Sequence, residues 1–260
     1  MSEYDISALL HQLRAERERK YKGGIYYFTQ TELAYNSNRI EGSRLSREHT
    51  RNLFETKTLI AAKDEAIRAD DVVETMNHFR AFDHVLSGAE EALTEEFIKH
   101  LHFILKAGTS DAGMEWFRVG EYKKVANIVG GHETSAPEDV PRDIRDLLER
   151  YEEASSHDID SILAFHERFE SIHPFQDGNG RVGRLILFKE CLRQGVVPFI
   201  IDSEHKDFYY RGLRMYHEEK GYLRDTCLSA QDKYTAYCTK MVPGFLEEGS
   251  TSLTGIDKQR

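Results

Sequence analysis

Residues 173–184 read His173-Pro174-Phe175-Gln176-Asp177-Gly178-Asn179-Gly180-Arg181-Val182-Gly183-Arg184, and they interrupt an otherwise helical pattern. Pro174 biases His173 away from the α conformation, so a helix running into this stretch must stop at His173. Gly178 and Gly180 let backbone N–H groups approach a ligand with no Cβ in the way. A new helix starts at once, and its unpaired N–H groups and positive dipole end face the same loop. Such a place binds anions, phosphate above all. Arg181 and Arg184 lie three apart and can flank the anion with forked donors. Asp177 beside a polyphosphate suits Mg²⁺, which prefers one or two carboxylates plus phosphate oxygens. His173, which titrates near neutrality, is the candidate general base.

Outward from this loop the apolar spacing is helical on both sides. Ile162, Phe165, Phe169 and Ile172 stripe a helix over 158–172, and Val182, Leu185, Ile186 and Leu192 stripe another over 182–193 with Gly195 as its C-cap. Further helices are predicted over 71–86, from the Thr94 cap to Gly108, and over 137–153, 4–20, 31–41, 46–62, 206–219 and 228–241. The clearest strand signal is Lys123 to Val129, followed by Gly130-Gly131 and a polar return to Pro137, which together predict a short hairpin. The fold class is therefore all-α, or mostly α: one domain carrying an N-terminal extension.

Composition narrows the function. The chain has 260 residues, 40% hydrophobic and 31% charged, as in ordinary globular proteins. Its formal charge of −10 opposes binding to nucleic-acid phosphates and to anionic membranes. The longest apolar run is only Val196 to Ile201, too short to span a bilayer, and the N-terminus does not resemble a signal peptide. Cys191, Cys227 and Cys238 form no CxxC pattern, so no disulfide framework is expected and a cytoplasmic location is. An EF-hand reading of Asp177-Gly178-Asn179-Gly180 fails, because Val182 stands where glycine is needed and Phe188 where the bidentate glutamate belongs.

Taken whole, the string resembles the Fic family signature HPFx(D/E)GNGRxxR, with each specified position matched between His173 and Arg184. The resemblance covers roughly residues 70–220. Gly120 to Pro137 looks like the family's flap, and His166 to Ile172 like the helix that leads into the motif. It implies a Fic core over 70–220 with a flap at 122–137, an N-terminal helical region over 1–69, a C-terminal helical region over 221–248 and a polar tail over 249–260. It also implies transfer of AMP from ATP to a Tyr, Ser or Thr hydroxyl of a protein, with release of pyrophosphate.

Carried over by position, His173 deprotonates the target hydroxyl and Asp177 holds Mg²⁺ or Mn²⁺ against the phosphates. Gly178, Asn179 and Gly180 form the anion hole, followed by Arg181, Val182 and Gly183 along the nucleotide, and Arg184 holds the γ-phosphate. Relatives that transfer a phosphoryl group carry lysine where Gly180 stands, so the full Gly-Asn-Gly favours nucleotidyl transfer. Ile128, Val129, Gly130 and Gly131 are expected to border the nucleotide and clamp the target. Tyr209 and Tyr210 resemble an aromatic pair at the adenosine end, although core aromatics on a helix are an equal reading of either one. His217 is placed nearby.

Upstream, Ser37-Asn38-Arg39-Ile40-Glu41-Gly42 matches (S/T)xxxE(G/N), the inhibitory-helix motif of Fic proteins. Alone it could be any helix ending in a solvated glutamate, but it precedes a complete signature in the same chain. A Glu41 carboxylate paired with Arg184 would withhold that arginine from the γ-phosphate, with Ser37 one turn earlier on the same helix. The sequence thus reads as a self-inhibited protein adenylyltransferase. Alternatives are a different donor, UMP or phosphocholine, on the same scaffold, or a non-catalytic nucleotide-binding regulatory module. The target protein is unspecified, and self-modification and a homodimer both stay open.

Overall fold

The structure is a computed structural model in which residues 4–246 are described; the expected tail lies outside them. It contains ten α-helices and one two-stranded hairpin among those residues. The helices are α1 (Ile6–Arg19), α2 (Ile25–Ile40), α3 (Arg47–Glu55), α4 (Ala69–Ser87), α5 (Glu95–Lys106), α6 (Val140–Glu152), α7 (Ile159–Ile172), α8 (Asn179–Arg193), α9 (Lys206–Arg214) and α10 (Gly221–Met241). The hairpin strands are β1 (Ile128–Val129) and β2 (His132–Glu133), antiparallel, with Ile128 opposite Glu133. The mostly α class is as the apolar spacing implied.

Helix α8 is the axis of the molecule. Residues 181–192 are buried on every face, and α1, α2, α4, α5 and α7 all pack against it. A helix surrounded in this way shows no amphipathic stripe, because it has no solvent side to leave polar. Its buried charges are instead paired: Lys189 meets Glu190 at 2.8 Å and donates to the Glu91 carbonyl at 2.6 Å. The main apolar core joins residues from α1, α2 and α4 through α10, including Leu9, Leu33, Phe82, Phe169, Leu185 and Leu223, and a smaller cluster of Ala34, Leu45, Leu53 and Phe79 seats α3.

Several boundaries differ from the expected ones, each for a local reason. Helix α2 begins at Ile25, six residues before the expected start at 31, because its cap comes from another helix. Gly24 offers no side-chain cap; the buried Glu16 of α1 accepts from the Tyr26 N–H at 2.8 Å, and a Cβ on Gly24 would overlap that carboxylate. Helix α3 stops at Glu55 rather than 62, as Lys57 turns left-handed with φ of 59°. Helix α8 starts at Asn179, three residues before Val182, with Gly178 as a left-handed N-cap. Helix α9 ends at Arg214, and α10 begins at Gly221, earlier than 228.

The expected strand over 123–129 is reduced to Ile128–Val129, since the preceding residues anchor the hairpin instead of pairing. All three cysteines are free and buried. No helix among the described residues is long and apolar enough to cross a membrane.

Candidate active site

Helix α7 delivers His173 as its C-cap in the left-handed conformation, with φ 53° and ψ 63°. This is strained for a residue with a Cβ and sets the imidazole at the mouth of the loop. Burial, with the Lys123 cation adding to it, lowers the His173 pKa to about 4. The ring is therefore neutral at pH 7, as a proton acceptor must be. Its Nδ1 is buried without a hydrogen-bond partner.

The loop is closed by reciprocal bonds. Asn179 accepts from the Phe175 N–H at 2.8 Å and donates back to the Phe175 carbonyl at 2.8 Å. From behind, His102 of α5 stacks flat on Phe175 with ring centroids 3.9 Å apart. Its Nδ1 accepts from the Gly120 N–H at 2.9 Å, so Nε2 carries the proton and donates to the Asp177 carbonyl at 3.1 Å. Gly178 takes φ of 84°, which leaves the first-turn N–H groups of Asn179, Gly180 and Arg181 without intrahelical partners and turned to the loop. The Val182 N–H is already bonded to the Gly178 carbonyl at 3.0 Å.

Charge is held in two layers. Asp177 is bound by Lys106 Nζ at 2.6 Å and by Arg181 at 3.3 Å. Burial would raise its pKa, but Arg181 and then Lys106 outweigh that and hold it at about 2. Glu74 of α4 bridges the same cations, 2.6 Å from Lys106 and 2.6 Å from Arg181. One turn deeper, Arg184 Nη2 meets Glu41 Oε1 at 2.7 Å and the Ser37 carbonyl at 3.0 Å, while Nε donates to Ser37 Oγ at 3.0 Å. Arg184 is 3% exposed in its side chain. Its Nη1 and the Arg181 Nε are buried donors with no partner. Gly180 is what admits Glu41, because a Cβ there would overlap the Glu41 carboxylate.

The structure brings His173, Asp177, Gly178, Asn179, Gly180, Arg181, Arg184, Ser37 and Glu41 together around this loop. Three expected nucleotide contacts need correction. Val182 is fully buried in the core. Gly183 is packed against Glu170 and His166 of α7, where a Cβ would not fit. Tyr209 is fully buried, with its hydroxyl 2.7 Å from His166 Nε2 and its ring behind Arg184. It supports the arginine and presents no surface to a ligand. Tyr210 is 40% exposed and donates to the Ile40 carbonyl, next to Glu41. His217 lies 3.5 Å from Glu167, with a side chain 78% exposed.

The hairpin sits over the loop, with Ile128 and Val129 exposed and Gly130 and Gly131 forming its left-handed tip. Its base is fixed by Asn127 and by Lys123, a residue the sequence did not single out. Lys106, Glu74, His102 and Glu170 were missed as well. Burial raises the Glu170 pKa to about 8, so it is an uncharged acid at pH 7. The available signal was a lysine and a histidine on the apolar face of α5, where Lys106 and His102 stand among Ile98, Leu101 and Leu105.

An all-α domain whose central helix opens on an anion-binding loop, with a histidine at one rim and a hairpin above it, defines a recognisable class. Residues 92–190, which include the loop from His173 to Arg184, match the Fic/DOC family. Over 222 residues it is 26% identical to the protein adenylyltransferase Fic of Drosophila grimshawi, covering 82% of this chain and 42% of that one. Over 187 residues it is 28% identical to the protein of the same name from Nematostella vectensis, covering 69% and 41%. The chain thus spans less than half the length of these relatives. Among solved structures it is similar to Fic-1 from C. elegans, with a TM-score of 0.70, 20% identity and coverage of 91% and 72%. A Fic domain containing signaling protein from Bacteroides thetaiotaomicron gives a TM-score of 0.65, 24% identity and coverage of 89% and 90%. These structures share the fold.

Proposed function

We propose that the protein transfers AMP from ATP to a hydroxyl group of a target protein, and that the state described here is its inhibited one. The observation that carries this is the neutral His173 placed beside the unpaired N–H groups of the first turn of α8, within a complete Fic signature. The relatives' name supports the same activity. In this reaction the target hydroxyl oxygen attacks the α-phosphorus as the bond to the leaving pyrophosphate breaks. The hydroxyl proton passes to the His173 imidazole. The first-turn N–H groups receive charge that develops on the phosphate oxygens, fixed donors that need no rearrangement.

The family implies a divalent cation, and the residues fit it. Asp177 is ionised and 46% exposed in its side chain, and no cluster of three or more acidic, histidine or cysteine ligands exists among the described residues. Asp177 would therefore hold Mg²⁺ that draws its remaining ligands from phosphate and water. The ion would supply charge neutralisation and alignment of the phosphates.

The 2.7 Å contact between Glu41 and Arg184 supports inhibition, because the arginine expected at the γ-phosphate is already occupied. The target is expected to engage the exposed edge of the hairpin, where an extended segment can add as a strand. The test is incubation of Glu41→Gly protein and Glu41→Gly/His173→Ala protein with α-labelled ATP and Mg²⁺ in a cell lysate. Labelled protein bands that depend on His173 are expected. Absence of label from the Glu41→Gly protein, with ATP bound, would overturn the proposal.

A further inference from the structure

Lys123 stands at the root of the hairpin and is 4% exposed. Every hydrogen-bond acceptor on its ammonium is a neutral oxygen: Thr134 Oγ1 at 2.6 Å, Asn127 Oδ1 at 2.9 Å and the Ile172 carbonyl at 3.2 Å. Its backbone N–H donates to the Pro174 carbonyl at 2.8 Å. Ile172 and Pro174 flank His173, while Asn127 and Thr134 flank the hairpin strands. Asn127 in turn donates to the Phe175 carbonyl at 3.4 Å and accepts from Thr134. One residue thus ties both legs of the hairpin to both neighbours of the histidine, through its ammonium to Ile172 and through its backbone to Pro174. A buried cation with no carboxylate is costly, and burial brings its pKa down to about 8. The three donors of the ammonium match these three oxygens, where a glutamine amide has only two, and the charge has a second reason to be there.

The reason lies in what faces it. Among the groups acting on His173, Lys123 is the cation that discourages protonation, against Glu41 and Asp177, which encourage it. We infer that Lys123 is a positioning residue: it registers the target-clamping hairpin to the catalytic loop, and its charge reinforces the burial of His173 in favouring an imidazole free to accept the hydroxyl proton. This inference rests on the transfer activity proposed above and adds a determinant outside the signature.

The roles separate in two variants. Lys123→Met removes both charge and donors; Lys123→Arg keeps both. Histidine-labelled protein, read by NMR titration, reports the His173 ring directly and needs no activity. In Lys123→Met the His173 titration should move up toward the ordinary histidine range, while in Lys123→Arg it should stay near the native value. Amide hydrogen exchange over residues 123–135 should speed up in Lys123→Met only. In the Glu41→Gly background, kcat/KM for the target should fall by about ten- to a hundredfold in Lys123→Met, the scale of misplaced reacting groups. Its acid limb should shift to higher pH, and Lys123→Arg should rescue both. A His173 titration unmoved in folded Lys123→Met overturns the electrostatic role, and unchanged exchange overturns the pinning role. If the Glu41→Gly parent itself transfers nothing, the activity reading fails, while the titration and exchange still decide the role of Lys123.

Discussion

Replacing Glu41 with glycine should release the site, and the structure sets the scale. Glu41 makes one charge-assisted bond to Arg184, at 2.7 Å, from a side chain 26% exposed to an arginine 3% exposed. Bonds of that kind contribute about 1.5–3 kcal/mol. If the freed arginine makes an equivalent bond to the γ-phosphate and holds it through the transition state, transfer should rise by roughly ten- to a hundredfold. The substitution should also cost stability, since Arg184 keeps only its Ser37 bonds. The partial exposure of Glu41 puts that cost at or below the low end of the about 3–5 kcal/mol typical of broken buried pairs. ATP should restore this loss, so the ATP-induced rise in Tm should be larger in Glu41→Gly than in the native protein. The assay is the initial rate of label incorporation from α-labelled ATP, with thermal melts at matched ATP concentrations. Adding Arg184→Ala should remove most of both gains, because the two residues act through one contact. A Glu41→Gly protein with native rate and native ATP shift would refute this reasoning and return Glu41 to the role of a helix end.

Three further outcomes are expected. His173→Ala should lower transfer by about 10²- to 10⁴-fold with little change in ATP binding by calorimetry, and the native kcat/KM should stay level down to about pH 5, because the base titrates near 4. Asp177→Ala, or EDTA with native protein, should abolish transfer, and added Mg²⁺ should restore it only in the native chain, measured by label incorporation. His78, His102 and His166 are held near 3, each primarily by burial. The unfolded chain binds protons at these rings below about pH 6.5 while the folded chain does not, so Tm should fall as pH drops from 6.5 toward 4, and a flat profile would contradict their burial.

The loop from His173 to Arg184 was legible because its residues are conformationally unusual on their own. A histidine before proline must leave the helix, and glycines mark where backbone is exposed to a ligand; neither depends on distant packing. Glu41 and Ser37 were legible only through the spacing that a resemblance supplies. By contrast, Glu74 of α4 and the pair His102 and Lys106 of α5 are polar residues on two helices far apart in sequence from the loop, and their convergence around Asp177 exists only once α4, α5 and α8 are packed. The start of α2 was hidden because Glu16, on another helix, provides its cap. Tyr209 and Tyr210 are adjacent and alike in sequence, and only the tertiary fold sends one inward to His166 and leaves the other at the surface.

The helix that ends in Glu41 is part of the core. Ile25, Leu33, Ala34 and Ile40 are buried in it, and Tyr26 donates to Asp83 of α4 at 2.7 Å. Thr29 shares a 2.6 Å hydrogen bond with Tyr234 of α10. An activating partner therefore has no detachable segment to pull away. Under the inhibition proposed above, unlocking should happen within the last turn of α2, as a side-chain swing or a small tilt that carries the carboxylate off Gly180. A chain cut after Gly42 would be a wounded fold and not a liberated enzyme, so natural or engineered activation should be sought in point changes and surface ligands near that turn, never in truncation.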